Sequence, residues 1–196
     1  MKADELNHRR RMKWECSSGT PLEACALVKS FGEKVAEAAG DMPILDVACG
    51  SGRNAIFLRQ LGCTVVCMDN DLSRLQTGQP WSGSTARHGT GSIIPHEIDL
   101  VKDPWPFMFR SVGGIINIHF TLPTLFPQFE SSLIPHGYLL LETVPGVGGN
   151  YLELPKEGEL KAALGRAFEY EFYKERHVGP LEHNAVTVKL IARRRE

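Results

Sequence analysis

Apolar positions recur at helical spacing early in the chain: Ala24, Leu27, Val28, Phe31, Val35 and Ala38 fall on one face. Thr20 suits a cap, Pro21 the first helical position and Glu23 the far end of a T-x-x-E capping box, while Gly40 is a natural stop. These signals predict a first helix between Thr20 and Gly40. The period then changes. Pro43 leads into an apolar run of strand length at 44–48, followed by a glycine turn and a helix predicted over 53–61, which Gly62 ends. Another apolar strand, 64–68, stops at Asp69. Strand, glycine turn, helix, strand is a βαβ unit, which implies parallel pairing and a right-handed crossover.

The alternation continues. A short helical stretch is predicted at 72–76, and strands at 93–98, 114–118 and 138–143. Helices are predicted near 127–133 and over 157–164, and residues 168–176 and 185–193 read as a terminal antiparallel hairpin. Residues 78–92 hold nine Gly, Ser or Thr among 15, too little apolar surface to order themselves, so a mobile surface loop is expected there. The whole predicts an α/β fold, a doubly wound open sheet with helices on both faces. It reads as a single domain over 1–196, an N-terminal helical segment (1–40) leading into an α/β core (41–196), without internal repeats.

Composition narrows the function classes. The formal net charge of -1, from 22 basic and 23 acidic residues, lacks the positive surplus that draws a protein to phosphates, so no nucleic-acid partner is expected. No run of 18 apolar residues occurs and the start has no apolar signal region, so no membrane association is expected. Cys16, Cys25, Cys49, Cys63 and Cys67 form no C-x-x-C pair, fit no zinc site and read as thiols of a reducing cytoplasmic compartment, with no metal expected. The basic run 8–13 and the arginines 193–195 read as solvated ends. Oligomeric state is not legible.

The chemistry concentrates at Asp46-Val47-Ala48-Cys49-Gly50-Ser51-Gly52-Arg53-Asn54-Ala55. An open α/β sheet binds ligands at the carboxyl ends of its strands, where the first strand turns into its helix. Gly50 and Gly52 let the backbone approach a ligand and take dihedrals closed to other residues. Asp46 brings a carboxylate that attracts an ammonium. Asp69, 23 residues on, can accept both hydroxyls of a ribose, and Asp99 after the third strand can read an adenine amino group. Gly50-x-Gly52-x-x-Ala55 also fits the dinucleotide fingerprint, with Asp69 as its ribose acid. Against a dinucleotide stand Asp46, whose charge repels a diphosphate, and a chain that ends in a hairpin rather than a second mononucleotide half. Singly, each aspartate is equally well read as a cap of the following turn.

On these residues the chain resembles a class I S-adenosylmethionine-dependent methyltransferase, and within that group the small tellurite-resistance-type branch. The likeness runs through ILDVACGSGRNAIFL, CMDND, IDLVKDPWPF, SLIPHGYLLLET and LELPKEGELKAAL. It implies seven strands with the last antiparallel. It also implies S-adenosylmethionine as cofactor, released as S-adenosylhomocysteine. The implied donor-binding residues are Asp46, Ala48, Gly50 and Gly52 around the methionine and ribose, Asp69 on the ribose hydroxyls, and Asn70 beside the adenine. Asp99 and Leu100 would flank the base, and Asn117 would sit near the methionine end. Ala48 and His136 stand where the family usually has glycines.

Methyl transfer is an in-line displacement, so alignment supplies much of the catalysis and a general base is optional. His119 is expected to face the donor methyl and is one catalytic candidate. His177, beside Arg176, is the other; tellurite-type relatives carry the pair in the opposite order. Each has a bland reading as a hydrogen-bonded structural histidine. Trp81, Trp105 and Phe107 are candidates for cation–π contact with a substrate or sulfonium, or for plain packing. The segment 146–159 and the N-terminal helix are expected to form a lid. No Asn-Pro-Pro-Tyr element follows strand four, which disfavours DNA bases as acceptors. The expected activity is methylation of a small molecule: a thiol, a metalloid oxyanion or a small metabolite. A nicotinamide-dependent oxidoreductase and a non-catalytic S-adenosylmethionine-binding module are the competing readings.

Overall fold

The computed structural model describes residues 23–76, 91–145 and 151–196. The Thr20–Pro21 cap, the basic run 8–13, Trp81, most of the loop 78–92 and the first part of the segment 146–159 lie outside them. Seven strands form one sheet: β1 (Ile44–Val47), β2 (Thr64–Asp69), β3 (Ser92–Glu97), β4 (Val112–Ile118), β5 (Leu133–Glu142), β6 (Phe168–His177) and β7 (Val186–Arg194), in the order β3-β2-β1-β4-β5-β7-β6. β3, β2, β1, β4 and β5 pair in parallel. β7 is antiparallel to both β5 and β6. The expected α/β class, the seven strands and the antiparallel last strand are all present.

Both faces are covered, as a parallel sheet requires. Helices α1 (Ala26–Ala39) and α2 (Arg53–Gln60) bury Leu27, Val28, Val35, Ala55 and Leu58 against one face, with Ile44, Val65 and Ile116. Helices α3 (Phe126–Ser132) and α4 (Glu159–Leu164) bury Phe126, Phe129, Leu160 and Leu164 against the other, with Leu45, Val47 and Leu139. At its C-terminal end α1 lies so near the sheet that a Cβ on Gly113 would fall 2.6 Å from Ala39 Cα. Among the described residues no helix is long and apolar enough to cross a membrane.

Two expectations about the ends of the chain need correction. The first helix starts at Ala26, and Glu23 lies outside it, pairing with Lys29 at 2.9 Å rather than closing a capping box. Tertiary bonds decide this boundary: Asn54 Oδ1 accepts the Cys25 backbone N–H at 2.9 Å, and Cys25 keeps an extended backbone with ψ 141°. Arg194, taken for part of a solvated tail, is buried; it donates from Nε to the Glu130 carbonyl and from Nη1 to the Arg195 carbonyl, tying β7 to α3. Trp105 is a packing residue. Its ring lies 5.5 Å from those of Phe107 and Phe129, and its Nε1 donates to Ser132 Oγ at 2.8 Å.

Candidate active site

The turn after β1 has a left-handed backbone at three positions, Ala48 (φ 57°), Gly50 (φ 57°) and Gly52 (φ 75°). Glycine takes this conformation freely, whereas an L side chain costs roughly 1–2 kcal/mol, so Ala48 holds the turn under strain. His136, the other position where the resemblance implies a glycine, is likewise at φ 69°. Beside Gly50 the space is open, with no atom of the described residues within 4 Å of where a Cβ would stand. At Gly52 a Cβ would meet Leu75 Cδ1 at 2.6 Å, and Gln76 donates its N–H to the Ser51 carbonyl at 3.0 Å. The stretch after β2, a 3₁₀ turn at Leu72–Arg74 rather than the longer helical stretch expected, thus seats itself on the glycine turn.

Asp69 closes β2 against the same turn. Its Oδ2 accepts the Gly50 N–H at 2.8 Å and its Oδ1 the Asp71 N–H at 3.2 Å. Four lone-pair sites on a carboxylate leave capacity for further donors. Asn70 follows in an exposed position. Asp46 is 1% exposed beneath the turn, and its Oδ2 has no hydrogen-bond partner among the described residues. Burial pushes its carboxyl up to about 7; the Ala55 N–H and the Arg53 guanidinium pull the other way. Asn117, near the end of β4, is also 1% exposed, with both amide atoms unpartnered among the described residues. Register sets the two on opposite faces of the sheet, since Asp46 pairs with Ile116 and Asn117 with Val47. Buried polar atoms without partners are uncommon and ask for a reason.

Asp99 is arranged as a cap. Its Oδ1 accepts the Val101 N–H at 3.0 Å and its Oδ2 the Lys102 ammonium at 2.8 Å, which with the backbone donors holds its carboxyl below the usual range. Its own N–H donates to Asp103, and Leu100 beside it is buried.

The two histidines are not brought together. His119 follows β4 in the middle of the sheet, while His177 ends β6 at its edge, three strand positions away or roughly 14 Å at the usual strand spacing. His177 is half exposed, with Glu157 Oε2 at 3.6 Å from its Nε2. His119 lies at φ 66° and donates its backbone N–H to the Glu142 carbonyl at 2.7 Å; its Nε2 stands 3.6 Å from Glu142 Oε1. Glu142, absent from the sequence-derived candidates, also receives Cys25 Sγ at 3.1 Å and Lys189 Nζ at 3.0 Å. The His119 ring first, then Cys25 and Lys189, hold its carboxyl down at about 2 despite burial. No sequence motif marks this cluster; an acid closing an otherwise apolar strand was the available signal.

No family model matches the sequence, and no curated protein matches it. Solved structures do. An S-adenosylmethionine-dependent methyltransferase from Methanosarcina mazei is similar with a TM-score of 0.61 at 17% identity, over 89% of this chain and 99% of that one. TehB from Haemophilus influenzae is similar with a TM-score of 0.59 at 17% identity, over 85% of this chain and 62% of that one. The [4+2]-cyclase SpnF is similar too, with a TM-score of 0.59 at 13% identity, over 91% of this chain and 85% of that one. Seven strands in this order, helices on both faces and an antiparallel seventh strand give the chain the Rossmann-like fold of the class I methyltransferases.

Proposed function

We propose that this chain is an S-adenosylmethionine-dependent methyltransferase acting on a small-molecule acceptor. The observation that carries the reading is the 2.8 Å bond from the Gly50 N–H to Asp69 Oδ2, which joins an open glycine turn to the acid ending the neighbouring strand. That junction suits a ribose on Asp69 and a chain of ligand atoms passing Gly50. The buried, unpartnered Asp46 oxygen suits the ammonium of an amino acid, and the unpartnered Asn117 amide, on the opposite face at the neighbouring strand end, suits its carboxylate where the ligand crosses the sheet edge. Such a donor would be held by Asp46, Gly50, Gly52, Asp69 and Asn117, with Ala48, Asn70, Asp99 and Leu100 as its border. It supplies a methyl group on a sulfonium with a neutral thioether as leaving group. The chain's own residues would bind it, hold the acceptor in line and take up a proton. His119 is the residue proposed for that last role, and His177 has no partner in it.

Among the similar structures, TehB supports the tellurite-resistance-type branch weakly, and the branch is part of the proposal only at that level. A nicotinamide cofactor is disfavoured by the sheet order, since the dinucleotide-binding domain runs 3-2-1-4-5-6 while here an antiparallel β7 stands between β5 and β6. A second reading, donor binding without methyl transfer, draws support from SpnF, a protein of this fold named for cyclisation. Near-neutral charge supports a small acceptor over nucleic acid. Buried free thiols at Cys25, Cys49, Cys63 and Cys67 support a reducing cytoplasmic setting.

Asp69→Ala tests the pocket. The variant should lose S-adenosylhomocysteine affinity by about tenfold or more, the equivalent of one charge-assisted bond pair. Unchanged affinity in calorimetry would rule out the assignment of Asp69 to the ribose.

A further inference from the structure

We propose that Glu142 is a positioning residue for His119, and that the pair serves an acceptor still carrying its proton, a thiol or a hydroxyl. The inference rests on the methyltransferase reading and adds to it an acceptor class. Glu142 is the last residue of β5 and is 7% exposed, yet it is an anion with three groups facing it from three elements. Lys189 of β7 lies 3.0 Å from Oε1, Cys25 before α1 lies 3.1 Å from Oε2, and His119 after β4 brings Nε2 to 3.6 Å from Oε1. One ammonium already neutralises the carboxylate, so a purely structural ion pair does not need the imidazole. His119 is nevertheless brought there twice, its Nε2 to 3.6 Å from the carboxylate and its backbone N–H onto the Glu142 carbonyl, at a left-handed φ that favours glycine.

A carboxylate facing Nε2 keeps the proton on that nitrogen and the lone pair on Nδ1, orienting the ring as second carboxylates orient histidines elsewhere. His119 is 25% exposed, and it stands two residues beyond the unpartnered Asn117 at the carboxyl edge of the sheet. The step balances. A lone pair on the acceptor sulfur or oxygen forms the bond to the methyl carbon, and the carbon–sulfur bond of the donor breaks with its pair going to sulfur. The acceptor's proton passes to Nδ1. The positive charge moves from sulfonium to imidazolium, which then faces the Glu142 carboxylate. An acceptor already anionic would need none of this.

The test uses the full chain with S-adenosylmethionine at neutral pH. Its acceptors are 2-mercaptoethanol and phenol, both protonated there, and 4-nitrothiophenol, already a thiolate. Glu142→Gln and His119→Ala should each lower kcat on the protonated acceptors by about 10²-fold, the usual worth of a positioned base. On the thiolate each should leave kcat close to wild type, and S-adenosylhomocysteine affinity should not change. Glu142→Asp should fall between on the protonated acceptors, and it carries the comparison if the Gln variant does not fold. Turnover of 2-mercaptoethanol alone would assign a thiol, and of phenol alone a hydroxyl. Equal losses on both kinds of acceptor, or none, would overturn the proposal. So would a wild type that binds S-adenosylhomocysteine but methylates the thiolate alone or no acceptor. A wild type that fails to bind S-adenosylhomocysteine overturns the underlying reading, and the binding arm shows that separately.

Discussion

At Asp46 a carboxylate has been taken out of water and offered little in return. Its folded value of about 7 against 3.8 for an ordinary aspartate means that the folded state keeps a proton the unfolded state has released. Stability therefore falls as pH rises from about 4 towards 7, and is flat in this respect above it. Glu142 runs the opposite way. Its value of about 2 against 4.5 gives stability that is present above the unfolded value and is lost as pH falls towards 2. The Asp46 contribution is isolated by comparing wild type with Asp46→Asn across pH 4–8 in thermal unfolding. The wild type should lose ground to the variant as pH rises, while the variant loses S-adenosylhomocysteine affinity. A constant difference across that range would mean that Asp46 is not buried as described. At this scale the sequence showed the acids and glycines, because they sit within one turn and at the ends of apolar runs. It did not show the strain at Ala48, which needs a φ angle, nor Glu142, whose bond to Cys25 spans 117 residues.

The elements were legible wherever the pattern was continuous. β1 and β4 are buried at every position and so read as apolar runs, each interrupted by one polar residue, Asp46 and Asn117. Boundaries set by tertiary contact were not. β5 begins at Leu133, directly after α3, because Leu133 already pairs with Val112 before a register shift. α1 starts late because Cys25 is bonded to Asn54 and Glu142 instead of being left to local capping. The seat of α1 on the sheet depends on the missing side chain at Gly113, where a Cβ would meet both Ala39 Cα and Ala39 Cβ at 2.6 Å. Backbone, not a flexible side chain, has to yield. Gly113→Ala should therefore destabilise the protein by about 1–3 kcal/mol in urea titration, the range for overpacking. Since α1 carries the approach to Cys25 and Glu142, the same variant should weaken acceptor turnover more than donor binding. A variant as stable as wild type would show that α1 is free to shift.

Across the whole molecule, alternation of strand and helix predicted the doubly wound sheet, and the paired β stretches near the end predicted the hairpin. Family resemblance implied seven strands with the last antiparallel, but not the place of β7 between β5 and β6, since no local pattern encodes which strands become neighbours. The order matters for chemistry. It keeps the β1–β4 crevice of a nucleotide-binding sheet, where the strand order reverses, while replacing the second mononucleotide half with an antiparallel pair. A ligand with one adenosine and an amino-acid end suits that asymmetry better than a dinucleotide does. Calorimetric titration of the full chain with S-adenosylhomocysteine and, in parallel, with NAD tests this claim most directly. The account predicts one saturable site for S-adenosylhomocysteine and no heat with NAD; saturable binding of NAD without S-adenosylhomocysteine would contradict it.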